Sequence, residues 1–82
     1  MTTQRRHITV DPRDNVTTLI DDRSQLPAIV GEVELSEAVP FGHKVALCAI
    51  AQGAAIIKYG VPIGHALAPI AAGEHVHVHN CA

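Results

Sequence analysis

Apolar residues in this chain fall into short alternating or β-branched runs, each closed by glycine, proline or an acidic turn, and nowhere do they sustain the spacing of an amphipathic helix. Residues 7–10 carry the alternation and branching of a first strand, and 16–20 form a second β-branched run after the turn-forming stretch 11–15. A polar loop at 21–25, followed by Pro27, leads to short strands within 28–35. Residues 44–50 have a helix-compatible composition, but the stretch is short and lies between Gly42 and Gly53, which predicts a strand. The pattern then repeats. Residues 49–60 parallel 69–80 at an offset of 20, each copy placing an apolar residue before a glycine turn and a strand-like run after it. Between the copies, Pro62 confines the extended segment 61–64 to a sheet edge or a bend. Two copies are too few for a solenoid, so the whole predicts one compact all-β domain over 7–82, preceded by a flexible polar tail at 1–6.

Composition adds limits to this picture. A domain of 82 residues buries only about 60–65% of the surface its unfolded form exposes. Although 48% of the residues are apolar, only Phe41 and Tyr59 are aromatic, so the core must be built from small aliphatic side chains. Completion of the apolar surface by a partner chain, or by a second copy in a homo-oligomer, is therefore expected. The formal charge of -2 gives no electrostatic ground for a nucleic acid or an anionic membrane as partner. No stretch approaches the roughly 20 apolar residues that span a bilayer, and the polar N-terminus has no signal-peptide core. Two cysteines, Cys48 in an apolar run and Cys81 beside the terminus, make no disulfide framework, and a soluble cytoplasmic protein is the expectation.

Six histidines are unusual in so short a chain, and their clearest concentration is residues 75–81, His-Val-His-Val-His-Asn-Cys. On a strand, period-two alternation puts His75, His77, His79 and the Cys81 thiol on one face and two valines on the other. At strand rise His75 and His79 stand about 13 Å apart, so one ion can take only His77 with either His75 or His79. The further ligands of a divalent transition metal would come from elsewhere or from another chain. The competing reading is a solvent-facing polar strand. His43 with Lys44, and Lys58 with Tyr59, place basic and phenolic groups beside glycine turns, where they could bind a carboxylate or transfer a proton, although a lone lysine is usually a solvated charge. Asp14 and Asn15 could contact substrate, but both residue types are expected in a turn for their local backbone hydrogen bonds. No nucleophile elbow, phosphate loop, zinc-finger pattern or dinucleotide fingerprint is present.

The segments Gly42-His43-Lys44-Val45-Ala46-Leu47, Ile57-Lys58-Tyr59-Gly60-Val61-Pro62-Ile63-Gly64 and Gly73-Glu74-His75-Val76-His77-Val78-His79-Asn80, with Asp14-Asn15-Val16 before them, resemble the N-terminal domain of the altronate and galactarate dehydratases. The resemblance runs from about residue 7 to residue 80. It implies a SAF-like β-clip fold and a place beside a large catalytic subunit or domain that removes water from a sugar acid with a divalent metal, iron first. It raises His43, Lys44, Lys58 and Tyr59 as catalytic candidates, Asp14, Asn15 and Asn80 as substrate contacts, and His75, His77 and His79 as metal ligands. The small subunit of the sulfolactate sulfo-lyases is similar in the same segments and is the alternative. A non-catalytic carbohydrate- or carboxylate-binding or assembly module is a third reading.

Overall fold

The computed structural model describes residues 2–82 as nine short strands, with no helix among them. The strands are β1 (Thr3–Gln4), β2 (His7–Ile8), β3 (Val16–Leu19), β4 (Ala28–Val30), β5 (Val33–Glu34), β6 (Lys44–Ala46), β7 (Ala55–Lys58), β8 (Val61–His65) and β9 (His75–Val76). They form three sheets with the orders β1-β4-β5, β2-β3-β6-β9 and β7-β8. All pairings are antiparallel except β1 with β4. The all-β class expected from the sequence is the class observed, and the described residues hold no helix long and apolar enough to cross a membrane.

The repeat in the sequence is a repeat of backbone hydrogen bonds. Ile50 and Ile70 exchange both of their amide bonds across the centre of the molecule, Gly53 N–H donates to Ala66 as Gly73 N–H donates to Ala46, and Ala66 N–H donates to Ala54 as Ala46 N–H donates to Glu74. The strand registers agree, since Ala55 pairs with His65 and Ile56 with Gly64, while His75 pairs with Val45 and Val76 with Lys44. One core packs about this relation: Ala46 with Ala66, Ile50 with Ile70 and Ile56 with Val76 are buried together with Val16. A second core joins Leu19, Ala28, Val30, Leu35, Val39 and Val45. The small residues foreseen for the interior thus fill two modest cores in place of one large one.

Two asparagines hold the copies in the same way. Asn15 accepts from Ile57 N–H through Oδ1 at 2.7 Å and donates from Nδ2 to the Ala55 carbonyl at 2.9 Å. Asn80 accepts from His77 N–H at 2.9 Å and donates to the His75 carbonyl at 2.8 Å. Their main chains match as well, with Leu47 N–H donating to Asn15 O and Leu67 N–H donating to Asn80 O. Each amide side chain therefore acts as a short piece of backbone, which is the local hydrogen-bonding role that suits Asn outside regular structure.

The segment expected as a flexible tail is not one over its described part. Thr3 and Gln4 pair in parallel with Ala28 and Ile29, and Arg5 is 1% exposed. Its guanidinium donates to the Asp21 carboxylate and to the Val39 and Asp21 carbonyls. A run of polar residues predicts a solvated tail, but Arg5 is buried because every one of these acceptors is in place to satisfy its donors.

Candidate metal centre

The second copy of the repeat departs from a strand as soon as Val76 is passed. His77 C=O accepts from both Asn80 and Cys81 N–H, so residues 77–80 curl into a turn in place of the extended run the alternation predicted. The correction has consequences for every residue of the run. Val78 is 79% exposed instead of lining an apolar face, and Cys81 leaves the histidine side to bridge Ala66 and pack against the core. The ring of His79 returns to within 5.4 Å of His75, centroid to centroid, where a strand would have carried it much farther. Cys48, placed by the sequence in an apolar run, is exposed.

The turn brings His77 over His43, which precedes β6. Their rings stack with centroids 4.3 Å apart, and His43 Nδ1 lies 2.8 Å from His75 Nε2. His43, His75 and His77 each offer a ring nitrogen, and the three atoms lie within 4.8 Å of one another. The trio joins His75 and His77, one of the two pairs that the spacing allowed, to His43 from elsewhere in the chain, and leaves His79 outside. Sequence spacing could not find His43, which is more than thirty positions away and is supplied by the β6–β9 pairing.

The electrostatics favour the neutral ring at His75 and at His77. Partial burial, then the charge of His43, hold His75 below the ordinary imidazole value, and the weaker pull of Glu37 in the other direction does not reverse this. Desolvation, followed by His43 and Lys44, lowers His77 as well. A neutral imidazole is the form that ligates a metal. Three partly exposed nitrogen donors suit a divalent transition ion that takes its further ligands from elsewhere. No cavity among the described residues encloses the cluster, and its three histidines are each partly exposed.

The other expected site residues sit elsewhere or do other work. Lys58 and Tyr59 occupy the tip of the β7–β8 hairpin, with Lys58 Nζ 4.9 Å from the centre of the half-exposed Tyr59 ring. Tyr59 has a φ of 56°, and Gly60 follows at 77°, so a two-residue left-handed turn closes the hairpin with a bulky residue where Asn is usual. Asp14 stabilises that turn by accepting from Gly60 N–H at 2.7 Å. Burial acts to raise the Asp14 carboxyl, but the amide donors of Gly60, Tyr59, Asp11 and Val10 outweigh it and hold the group below its ordinary value. Asn15 and Asn80, expected as substrate contacts, direct their amides to backbone partners, and Asn80 is 5% exposed. They position the loops. Lys44 lies in β6 next to His43, where its charge bears on His77.

Known proteins extend this geometry. The sequence profile of the altronate/galactarate dehydratase SAF domain matches residues 5–82. The chain is similar to the altronate dehydratase of Escherichia coli strain K12, 46% identical over 78 residues that cover 92% of this chain and 16% of that protein. It is also similar to the altronate dehydratase of Bacillus subtilis strain 168, 41% identical over 76 residues, covering 89% and 15% respectively. The alpha subunit of the (2R)-sulfolactate sulfo-lyase of Chromohalobacter salexigens is 47% identical over 49 residues, covering 60% of this chain and 52% of that subunit. The chain thus spans under a fifth of the length of those two altronate dehydratases.

Proposed function

The chain belongs to the altronate/galactarate dehydratase SAF domain family, and we propose on that footing that it is the histidine-bearing component of a metal-dependent lyase that acts on a sugar acid. In this reading His43, His75 and His77 hold a divalent ion, iron first, and a larger catalytic chain or domain completes the site. The observation that supports it is the convergence of three part-exposed imidazoles in a domain that accounts for a small fraction of its dehydratase relatives. When bound, the ion supplies Lewis acidity toward a carboxylate or hydroxyl oxygen.

The protein's own groups have separate tasks. Removal of a proton next to a carboxylate, with departure of a hydroxyl, needs a base, an acid and a cation. His79, exposed and outside the trio, is left free to serve as the acid or the base. The Lys44 ammonium, whose charge bears on His77, would neutralise a carboxylate beside the cluster. Lys58 and Tyr59, on a separate hairpin, are in this reading left for a partner or the far end of an extended substrate. The sulfo-lyase reading shares this chemistry with a different leaving group, and it draws on the 47% identity to the sulfo-lyase alpha subunit over 49 residues.

Titration of the 82-residue chain, stripped by chelator, with Fe(II) under anaerobic conditions and with Zn(II) tests the centre directly. One ion per chain is expected. His43→Ala and His77→Ala are each expected to weaken binding by more than the roughly 10–100-fold typical of losing a residue behind a ligand. Absence of binding, or variants that bind as the parent does, removes the metal centre. Turnover on altronate after mixing with a large dehydratase domain then separates a catalytic contribution from an assembly role, which would survive the same substitutions.

A further inference from the structure

We propose that Glu37 is a positioning residue for the histidine cluster: its carboxylate holds His75 in the tautomer protonated on Nδ1, which leaves the lone pair of Nε2 directed at His43. The proposal rests on the metal-centre reading for its purpose, but it makes a claim about a proton that stands apart from any ion. Glu37 Oε1 lies 4.0 Å from His75 Nδ1, while the opposite nitrogen of the same ring, Nε2, lies 2.8 Å from His43 Nδ1. The two sides of His75 are therefore differently committed, one toward an acceptor that carries charge and one toward another imidazole.

The backbone puts Glu37 there. Ser36 donates from N–H and from Oγ to the Gly73 carbonyl, at 3.1 and 3.3 Å, so the strand end at 34–36 is tied to the loop that starts β9. Gly73 allows the approach, because a Cβ there would collide with the Glu34 carbonyl. Two residues beyond Gly73 stands His75, and one beyond Ser36 stands Glu37, so the same docking brings carboxylate and ring together. At 4.0 Å the hold is electrostatic, and rotation of the half-exposed Glu37 side chain, or a bridging water, would close it to a hydrogen bond.

Proton counting constrains the pair of rings. Each neutral imidazole carries one N–H, and the 2.8 Å contact between His43 and His75 requires one donor and one acceptor. With the His75 proton on Nδ1, facing Glu37, His75 Nε2 accepts and His43 Nδ1–H donates. An ion entering between the two rings needs lone pairs on both facing nitrogens. His75 already presents one, and His43 reaches the same state by moving its single proton to Nε2, with none lost from either ring. A carboxylate behind a ligating histidine is a recurrent arrangement that fixes the tautomer and the ring orientation.

The test uses long-range 1H–15N correlation of the histidine rings in the chelator-treated 82-residue chain near neutral pH, together with Zn(II) affinity, for the parent, Glu37→Ala and Glu37→Asp. Because Glu37 is half-exposed, the variants are expected to fold, and amide dispersion in the same spectra checks that. In the parent, His75 is expected to be protonated on Nδ1. Glu37→Ala is expected to shift His75 toward the Nε2–H form and to weaken Zn(II) by roughly 10–100-fold, with Glu37→Asp restoring part of both. An unchanged tautomer in Glu37→Ala overturns the proposal, whether affinity is kept or lost; affinity lost alone makes Glu37 a direct ligand. A parent that binds no Zn(II) sinks the metal-centre reading, while the tautomer comparison still decides the role of Glu37.

Discussion

The two copies of the repeat share a backbone but not a chemistry. In the first copy the positions equivalent to His75 and His77 are Ala55 and Ile57, and the position equivalent to His43 is Ile63. The same asparagine clamp holds both loops, and the same glycine turn begins both. The copies diverge after their strands. Beyond Lys58 the first copy turns within two residues into β8 and forms a closed hairpin, whereas the second curls at 77–80 into its own asparagine and leaves its histidines facing a strand from elsewhere in the chain. A duplicated scaffold thus carries one structural copy and one chemical copy, and the scaffold can be separated from the chemistry by changing equivalent residues in each.

The largest effect is expected at the two turn glycines. Gly53, at φ 83°, has open space around a would-be Cβ, whereas Gly73, at φ 86°, has the Glu34 carbonyl against it. Gly53→Ala is expected to cost about 1 kcal/mol from left-handed strain alone. Gly73→Ala adds a backbone collision and is expected to cost roughly 3 kcal/mol, a large part of what so small a domain has. Thermal melts in chelator read this as a difference of roughly ten degrees between the variants. Equal melting temperatures would show that the contact of 34–36 with the second copy contributes nothing.

The asparagine pair comes next. Removing either clamp leaves a backbone N–H and a carbonyl without partners, a loss of about 1–3 kcal/mol, with the more buried Asn80 toward the upper end. The sharper contrast is in function. Asn80→Ala is expected to weaken Zn(II) binding as well as stability, because its amide fixes the main chain of His75 and His77. Asn15→Ala is expected to lower the melting temperature and leave affinity near the parent value. Joint loss of affinity in both variants would mean that the copies are coupled, and that the clamp does not act locally.

Much of this was legible in the sequence, and the misses have physical causes. The offset of 20 was visible because the interior requires Ala, Ile and Gly at matching places, and most short strands announced themselves through β-branching and turn residues. The histidines at 75, 77 and 79 were visible as candidates, but period-two alternation describes them only while the backbone stays extended. Asn80 competes with the ladder for the His75 and His77 backbone, and that competition ends the strand after Val76. His43 entered as a basic residue beside a glycine, since nothing in local spacing reveals a partner brought by sheet register. Glu37 gave no signal at all: it sits in a loop whose position depends on Ser36 meeting Gly73.

The smallest expected effect is on acid stability, and it too divides the copies. His75 and His77 are held below the ordinary value near 6.5, by burial first and by His43 next, so the folded chain takes up protons less readily than the unfolded one. As pH falls below that ordinary value the unfolded chain gains protons first, and stability that is complete above it is lost through the lowered folded values. Asp11, held at about 2 by its hydrogen bond to Arg13, and Asp14, held low against burial by its amide donors, contribute in a separate, more acid window. With metal chelated, the melting temperature is therefore expected to be lower at pH 5 than at pH 8, by a few degrees on the scale set for small domains. His75→Gln and His77→Gln should each flatten that slope, whereas Ile57→Val in the first copy should lower the melting temperature by a similar amount at both pH values. A slope that persists in the double histidine variant would place the titrating groups outside the cluster and break the division between a structural and a chemical copy.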